Sequence, residues 1–165
     1  QEEALSISDS VAVMQQGSIE QHETPEQVYL SPASRFVAEF VTQGNFLPAS
    51  CNGKGWETEI GTFALDASQV SDAVGGDSGE LMIRQEDMSL TPDESSEIVI
   101  LDREFLGREH RYRLQLPSGM QLKVRTHQTP PLAPKTAVKL TIEEGMLQLF
   151  SSGSTLNRER LTAIH

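Results

Sequence analysis

The sequence has a single cysteine, Cys51, so it can close no internal disulfide and build no thiolate metal cluster. One cysteine agrees with a reducing compartment. Aromatic residues make up only 5%. No apolar run approaches the ~18 residues that span a bilayer, and no membrane insertion is expected. No GxxxxGK[ST] phosphate loop occurs. Gly53-Lys54-Gly55 has the wrong spacing and lacks the hydroxyl residue that a nucleotide-bound metal ion needs. No GxSxG nucleophile elbow is found. The histidines His22, His110, His127 and His165 are scattered, without recognisable ligand spacing. No catalytic, cofactor or metal-ligating residue is therefore assigned. The residues read as a binding or assembly region, not as an enzyme.

The 165 residues carry a net charge of -11. That sign opposes nucleic-acid binding, which depends on Lys and Arg neutralising phosphates. The charge is uneven. Residues 1–34 hold six acids and no Lys or Arg, while residues 101–165 hold ten bases against six acids. A basic segment on an acidic chain suggests self-association or an acidic partner.

Two textures divide the chain. In residues 1–44, Gln1–Ser8 reads as the end of a helix, and Val11–Gln16, Gly17 and Ser18–Gln21 as a hairpin. Thr24-Pro25-Glu26 opens a short helix, with Thr24 as N-cap and Pro25 in the first turn. Pro32 ends it. Ser34 caps a second helix, with Phe36, Val37, Phe40 and Val41 at helical spacing and Gly44 closing it. In residues 45–165 short alternating runs are separated by Gly, Pro, Asp and Ser. Strands are expected at 46–49, 56–60, 62–65, 80–84, 96–106, 108–116, 120–126, 137–142 and 146–150. Residues 66–79 read as a loop with one helical turn, and 156–164 as a terminal helix. Many short strands at close spacing predict a mainly β fold, a small sandwich or barrel, preceded by a short α/β segment.

The sharpest local expectation is a hairpin about Leu116-Pro117-Ser118-Gly119-Met120. Pro117 suits a type I turn, and Gly119 accepts the left-handed position. This register sets Leu114 opposite Leu122 and Tyr112 opposite Val124 on an apolar face. On the other face Arg113 lies opposite Lys123 and Arg111 opposite Arg125. Like charges directly opposed destabilise a strand pair by roughly 0.2–1 kcal/mol. An anionic neighbour would relieve them: Glu109, another subunit or a ligand. Otherwise the long side chains splay into water, the simpler expectation. Arg111, Arg113, Lys123 and Arg125 thus form the candidate anion or partner face.

A resemblance adds to this reading. The run Gln1-Glu2-Glu3-Ala4-Leu5, then Ser8-Asp9, Val11-Ala12-Val13-Met14, Gly17, Ile19 and Gln21, resembles the end of an ABC-transporter ATPase domain. Thr24-Pro25-Glu26-Gln27-Val28-Tyr29, Pro32 and Phe36–Val41 resemble the helices that follow. Ser10 and Glu23 depart from the family's usual Arg and Gly. Residues 45–165 resemble the transport-associated OB-like (TOBE) domain of importer ATPases. The carriers are Met82-Ile83-Arg84-Gln85-Glu86-Asp87, with Gln85 where the family has Pro, then Phe105-Leu106-Gly107, Leu140-Thr141-Ile142 and Leu149-Phe150. Arg84 and Glu86 mark the family-motif turn. The stretch Gln43–Ala49 is most similar to the ferric-iron branch.

The resemblance implies an OB-like regulatory domain behind a remnant of the ATPase domain. Its fragment would pair with a second copy. ATP and Mg would belong to the full-length parent, which would be an ABC-type ATPase lying at the inner, cytoplasmic face of the cell membrane with permease subunits. Gln1 is not methionine, so a processed product or an excised piece is expected. Residues 1–21 are expected to pack poorly, to pair with another chain or to be mobile. Two alternatives remain: an oxyanion or small-ligand sensor at the subunit interface, and a stand-alone OB-fold that binds oligonucleotides.

Overall fold

The computed structural model describes residues 8–152. Of the helix end expected at Gln1–Ser8 only Ser8, which is not helical, is described, and the terminal helix expected at 156–164 lies outside the described residues.

The chain opens with the hairpin of β1 (Val11–Gln15) and β2 (Ser18–Glu23), whose register slips between Val13 and Met14. Helices α1 (Pro25–Leu30) and α2 (Arg35–Thr42) follow. Both start as their sequences predict. The Thr24 side chain accepts from the Gln27 amide and the Ser34 side chain from the Val37 amide, each satisfying a donor that the first turn leaves free. The end of α2 differs from expectation. Gln43, not Gly44, takes the left-handed C-terminal position, with φ 50°. Gly44 instead sits where a side chain would be crowded. A Cβ there would lie 3.0 Å from Thr42 Oγ1 and 3.2 Å from the Ile83 carbonyl oxygen.

Ten further strands follow. They are β3 (Asn45–Cys51), β4 (Trp56–Thr58), β5 (Gly61–Phe63), β6 (Ser78–Ile83), β7 (Met88–Pro92), β8 (Val99–Phe105), β9 (His110–Gln115), β10 (Gln121–Thr126), β11 (Val138–Ile142) and β12 (Gln148–Phe150). One sheet runs β12-β6-β3-β4-β5. The other strands form β10-β9-β8 and β11-β7. Backbone hydrogen bonds join these two groups, from Ile100 N to Thr136 O and from Val138 N to Ile98 O. With β10 lying beside β7, strands β7–β11 make a small OB-like barrel.

Strand β7 has no counterpart among the expected strands. Met88, Ser89, Leu90 and Thr91 alternate buried and exposed, but the run is short and ends in Pro92. Proline is tolerated at a strand end, where no ladder donor is lost. The expected helical turn within residues 66–79 is a 3-10 turn at Ala67–Gln69, capped by Asp66.

One apolar core lies between the barrel and the five-stranded sheet. Leu47, Leu81 and Ile83 meet Ile100, Tyr112, Leu114, Leu122, Val124 and Val138 there. The alternation of β9 and β10 is what places these residues, since successive side chains of a strand point to opposite faces. The β1-β2 hairpin packs on one face only. Val13 is buried with Val28 and Val37, whereas Met14 and Ile19 are exposed. Poor packing of the opening hairpin is thus observed on its outer face alone.

Candidate functional site

The β9-β10 hairpin forms in the predicted register. Leu114 pairs with Leu122, Tyr112 with Val124, Arg113 with Lys123 and Arg111 with Arg125. Gly119 N donates to Leu116 O across the turn, and Gly119 has φ 89°. All four candidate cations therefore share one face.

The three arginines are paired within the chain, while Lys123 is exposed as the simpler expectation had it. Strand β8 lies on the far side of β9 and brings a column of carboxylates to the same face. Arg111 Nη2 meets Glu104 Oε2 at 2.6 Å, and Arg113 is paired with Asp102 through both Nε and Nη2. Arg125 is paired with Glu109, which was among the anions expected to relieve the face. His127 Nε2 lies 3.9 Å from the same carboxylate. Among the described residues Lys123 makes no ion pair, and it borders a depression of about 270 Å³ with Asp102, Glu104, Arg111 and Arg113. The crowding of like charge is thus relieved within the chain.

Asp102 and Glu104 escaped the sequence reading for a definable reason. The register of β8 against β9 shifts between Ile100 and Asp102. Only past that irregularity do the two acids, spaced i and i+2, face Arg113 and Arg111. Their spacing on one strand face was the available signal.

The second candidate, the turn at Arg84 and Glu86, is a junction in which Arg84 and Gln85 are buried and Glu86 lies at the surface. Arg84 is 1% exposed. It precedes a 3-10 turn, Gln85–Asp87, that links β6 to β7. Its Nη2 donates to the carbonyls of Tyr29 (2.8 Å) and Leu30 (3.1 Å), the last two residues of α1. Its Nη1 donates to Met146 O at 3.0 Å and approaches Asp87 at 3.5 Å. Burial lowers the Arg84 pKa, and the Asp87 charge opposes that shift.

Gln85, in the family's proline position, is buried and donates to Gln43 O at 2.9 Å. It ties the turn to the end of α2. The Tyr29 hydroxyl donates to Glu86, an exposed residue whose carboxyl, partly desolvated beneath Tyr29, is held above its usual range. Burial likewise raises Asp87. Two more links cross the junction. Arg35 Nε donates to Glu80 at 2.5 Å, and Gln148 Nε2 to Leu30 O at 2.9 Å. The helices and the β domain are thus fastened by contacts that begin at the very turn carrying the motif.

The fold so described, an OB-like β domain with a hairpin and two helices clamped to its motif turn, defines a domain of TOBE type. The TOBE domain family matches residues 81–150. The chain is 39% identical over 162 residues to the sulfate/thiosulfate import ATP-binding protein CysA 2 of Chromobacterium violaceum, covering 91% of this chain and 43% of that protein. It is 33% identical over 156 residues to the spermidine/putrescine import ATP-binding protein PotA of Pseudomonas fluorescens, covering 88% and 42%. The Fe(3+) ions import ATP-binding protein FbpC of Fusobacterium nucleatum is 27% identical over 162 residues, covering 95% and 43%. Residues 81–150 thus match a TOBE domain, and the chain is similar to ATP-binding subunits of ABC importers over about nine tenths of its length. It spans about two fifths of the length of these relatives.

Proposed function

We propose that this chain is the regulatory and pairing region of an import ATPase subunit. In this reading the whole protein binds ATP with Mg, hydrolyses it, and drives solute uptake through permease subunits at the cytoplasmic face of the membrane. Among the described residues no helix is long and apolar enough to cross a membrane. The observation that carries the reading is the continuous similarity to import ATP-binding proteins across both the helical segment and the β domain.

Pairing of two copies is supported by the surface beside the charged face. Phe105, at the end of β8, is 64% exposed and Leu106 follows it at the hairpin tip. These two adjacent exposed apolar residues are the surface to which we assign the pairing. The oxyanion-sensor reading is weakened, because Arg111, Arg113 and Arg125 already hold carboxylates. The oligonucleotide reading has the net charge against it.

The cargo stays open at the level of the relatives. Sulfate/thiosulfate and spermidine/putrescine importers match at higher identity than the ferric-iron importer. The iron branch suggested by Gln43–Ala49 gains no support from that order.

Sedimentation of the chain at high micromolar concentration tests the pairing. Its 18.2 kDa protomer should sediment as a dimer, and Phe105→Ala with Leu106→Ser should shift it to monomer. A wild-type chain that stays monomeric at that concentration removes the pairing role. ATP hydrolysis by the full-length protein, measured with and without this region, tests the regulatory role. Equal rates in transport-competent vesicles remove it.

A further inference from the structure

The carbonyls that end α1 belong to a six-residue helix and have no partners within it. Helix ends of this kind are commonly completed by water or by the next few residues of the chain. Here the partners come from far away. The Arg84 guanidinium takes Tyr29 O and Leu30 O, and the Gln148 amide takes Leu30 O as well. A cation at the negative end of a helix is favourably placed. Arg84 also lies 5.2 Å from the Tyr29 ring centroid.

The burial of this cation is incompletely compensated. Its nearest carboxylate is Asp87, at 3.5 Å. Arg84 Nε and Gln85 Oε1 are buried without a hydrogen-bond partner among the described residues. Desolvation of a buried guanidinium offsets much of what its hydrogen bonds gain, so its net contribution to stability is small while its bonds remain directional.

The two helices rest on the β domain in different ways. Helix α2 sets its own Ala38 on Met82 and Phe150, with Phe46 packed beside them, and adds the Arg35 bonds to Glu80 and the Gln85 bond to Gln43 O. The buried residue of α1 is Val28, which faces Val13 and Val37 of the hairpin and α2, and not the β domain. Among the described residues, α1 meets the β domain through the directional bonds of Arg84 and Gln148 and through the Tyr29 hydroxyl on Glu86.

We infer that Arg84 is the pin of a releasable latch, which sets the position of α1 and its hairpin on the β domain while α2 stays seated. The same guanidinium holds Met146 O, in the 3-10 turn Glu144–Met146 that leads into β12. A displacement of α1 therefore breaks its bonds to Arg84 as a set and frees the guanidinium to move against that turn. Movement on one side of the junction is passed to the other through a single side chain. Apolar seats slide with little loss, whereas hydrogen bonds fail steeply with distance and angle. Helix α2 keeps a buried apolar contact with the β domain beside its polar bonds, whereas the buried residue of α1 has none there, and that difference places the release at α1 and not at α2. The inference concerns this chain alone and stands whether or not the transport reading holds.

Amide hydrogen exchange on the chain distinguishes a latch from a merely structural arginine. The Val28 and Ser31 amides donate to Thr24 O and Gln27 O and report on α1 directly. In Arg84→Met their protection should fall about tenfold or more, the loss expected when charged hydrogen bonds are removed. Leu147, whose amide bonds to Glu144 O, should exchange faster too. Ala38 in α2, and Leu114 and Val124 in the barrel, should stay within about twofold. Gln148→Leu, which removes the other donor on Leu30 O, should give the same pattern at smaller amplitude. A uniform loss of protection across α1, α2 and the barrel overturns the latch, as does unchanged exchange at Ser31. If Arg84→Met does not fold, the Gln148→Leu result decides by the same criteria.

Discussion

Replacing Asn45 by alanine should open the seam between the five-stranded sheet and the barrel. Asn45 is the first residue of β3 and is 8% exposed. Its side-chain amide acts as a short piece of strand against the outer edge of β10. Oδ1 accepts from Lys123 N at 2.7 Å, and Nδ2 donates to Lys123 O at 2.9 Å and Ile83 O at 3.3 Å. Alanine leaves both polar groups of the Lys123 peptide without that partner. Each part-buried group left unmade costs about 1–3 kcal/mol, and water recovers some of it, so the net loss should be roughly 2–4 kcal/mol. In a chain of this size that lowers the thermal midpoint by roughly 6–12 °C. The half-buried Trp56 packs on the core and provides a fluorescence signal for urea unfolding. Asn45→Asp sharpens the test. Its carboxylate can still accept from Lys123 N but would face two carbonyl oxygens, so at neutral pH it should be less stable than the alanine variant. That deficit should shrink on acidification, as the new carboxyl gains a proton and becomes a donor. An alanine variant within about 0.5 kcal/mol of the wild type refutes the seam, and so does an aspartate variant as stable as Asn45.

Further outcomes follow from single residues. Burial raises the Glu86 pKa in the folded state, so the fold favours its protonated form, and its contribution improves as pH falls from neutrality through that raised value. Glu86→Gln should therefore have a higher urea midpoint than the wild type at about pH 7.5, with the gap closing toward about pH 5. A gap that widens on acidification contradicts the assignment. Gly119→Ala meets open space, so only the left-handed backbone at φ 89° resists it. The cost should be about 1 kcal/mol by equilibrium denaturation, with the hairpin register retained in nuclear Overhauser contacts between Leu114 and Leu122. Leu114→Ala, at a fully buried position, should cost about 2–5 kcal/mol in the same assay.

The carboxylate partners of the basic face show how local and distant information combine. The placement of Arg111, Arg113, Lys123 and Arg125 on one face follows from alternation plus a turn whose type Pro117 and Gly119 specify. Nothing beyond the hairpin is needed, and the pairing was legible residue by residue. Whether that face is an open cation surface or a paired one depends on β8, and on a register shift near Leu101 that no local pattern announces. The helix starts at Thr24 and Ser34 were legible for the same reason as the hairpin, since a cap is an interaction between residues three apart. Strand β7 was not, because four alternating residues before a proline are too few to outweigh a turn reading.

Arg84 draws the line between the two kinds of information. From the sequence it could be placed in a motif turn, and the family resemblance could be built around it. Its burial, and its bonds to Tyr29, Leu30 and Met146, required chain segments more than fifty residues away on either side to converge. Short-range geometry is encoded in residues that are neighbours along the chain, where the backbone itself sets their separation. Convergence of distant segments is set by the packing of the whole core, which orders all of its parts together. The sequence by itself determined the class of fold, the hairpins and the caps. The tertiary structure alone decided that the motif turn is a clasp between helix and barrel, and that the basic face is half of a charge-paired surface.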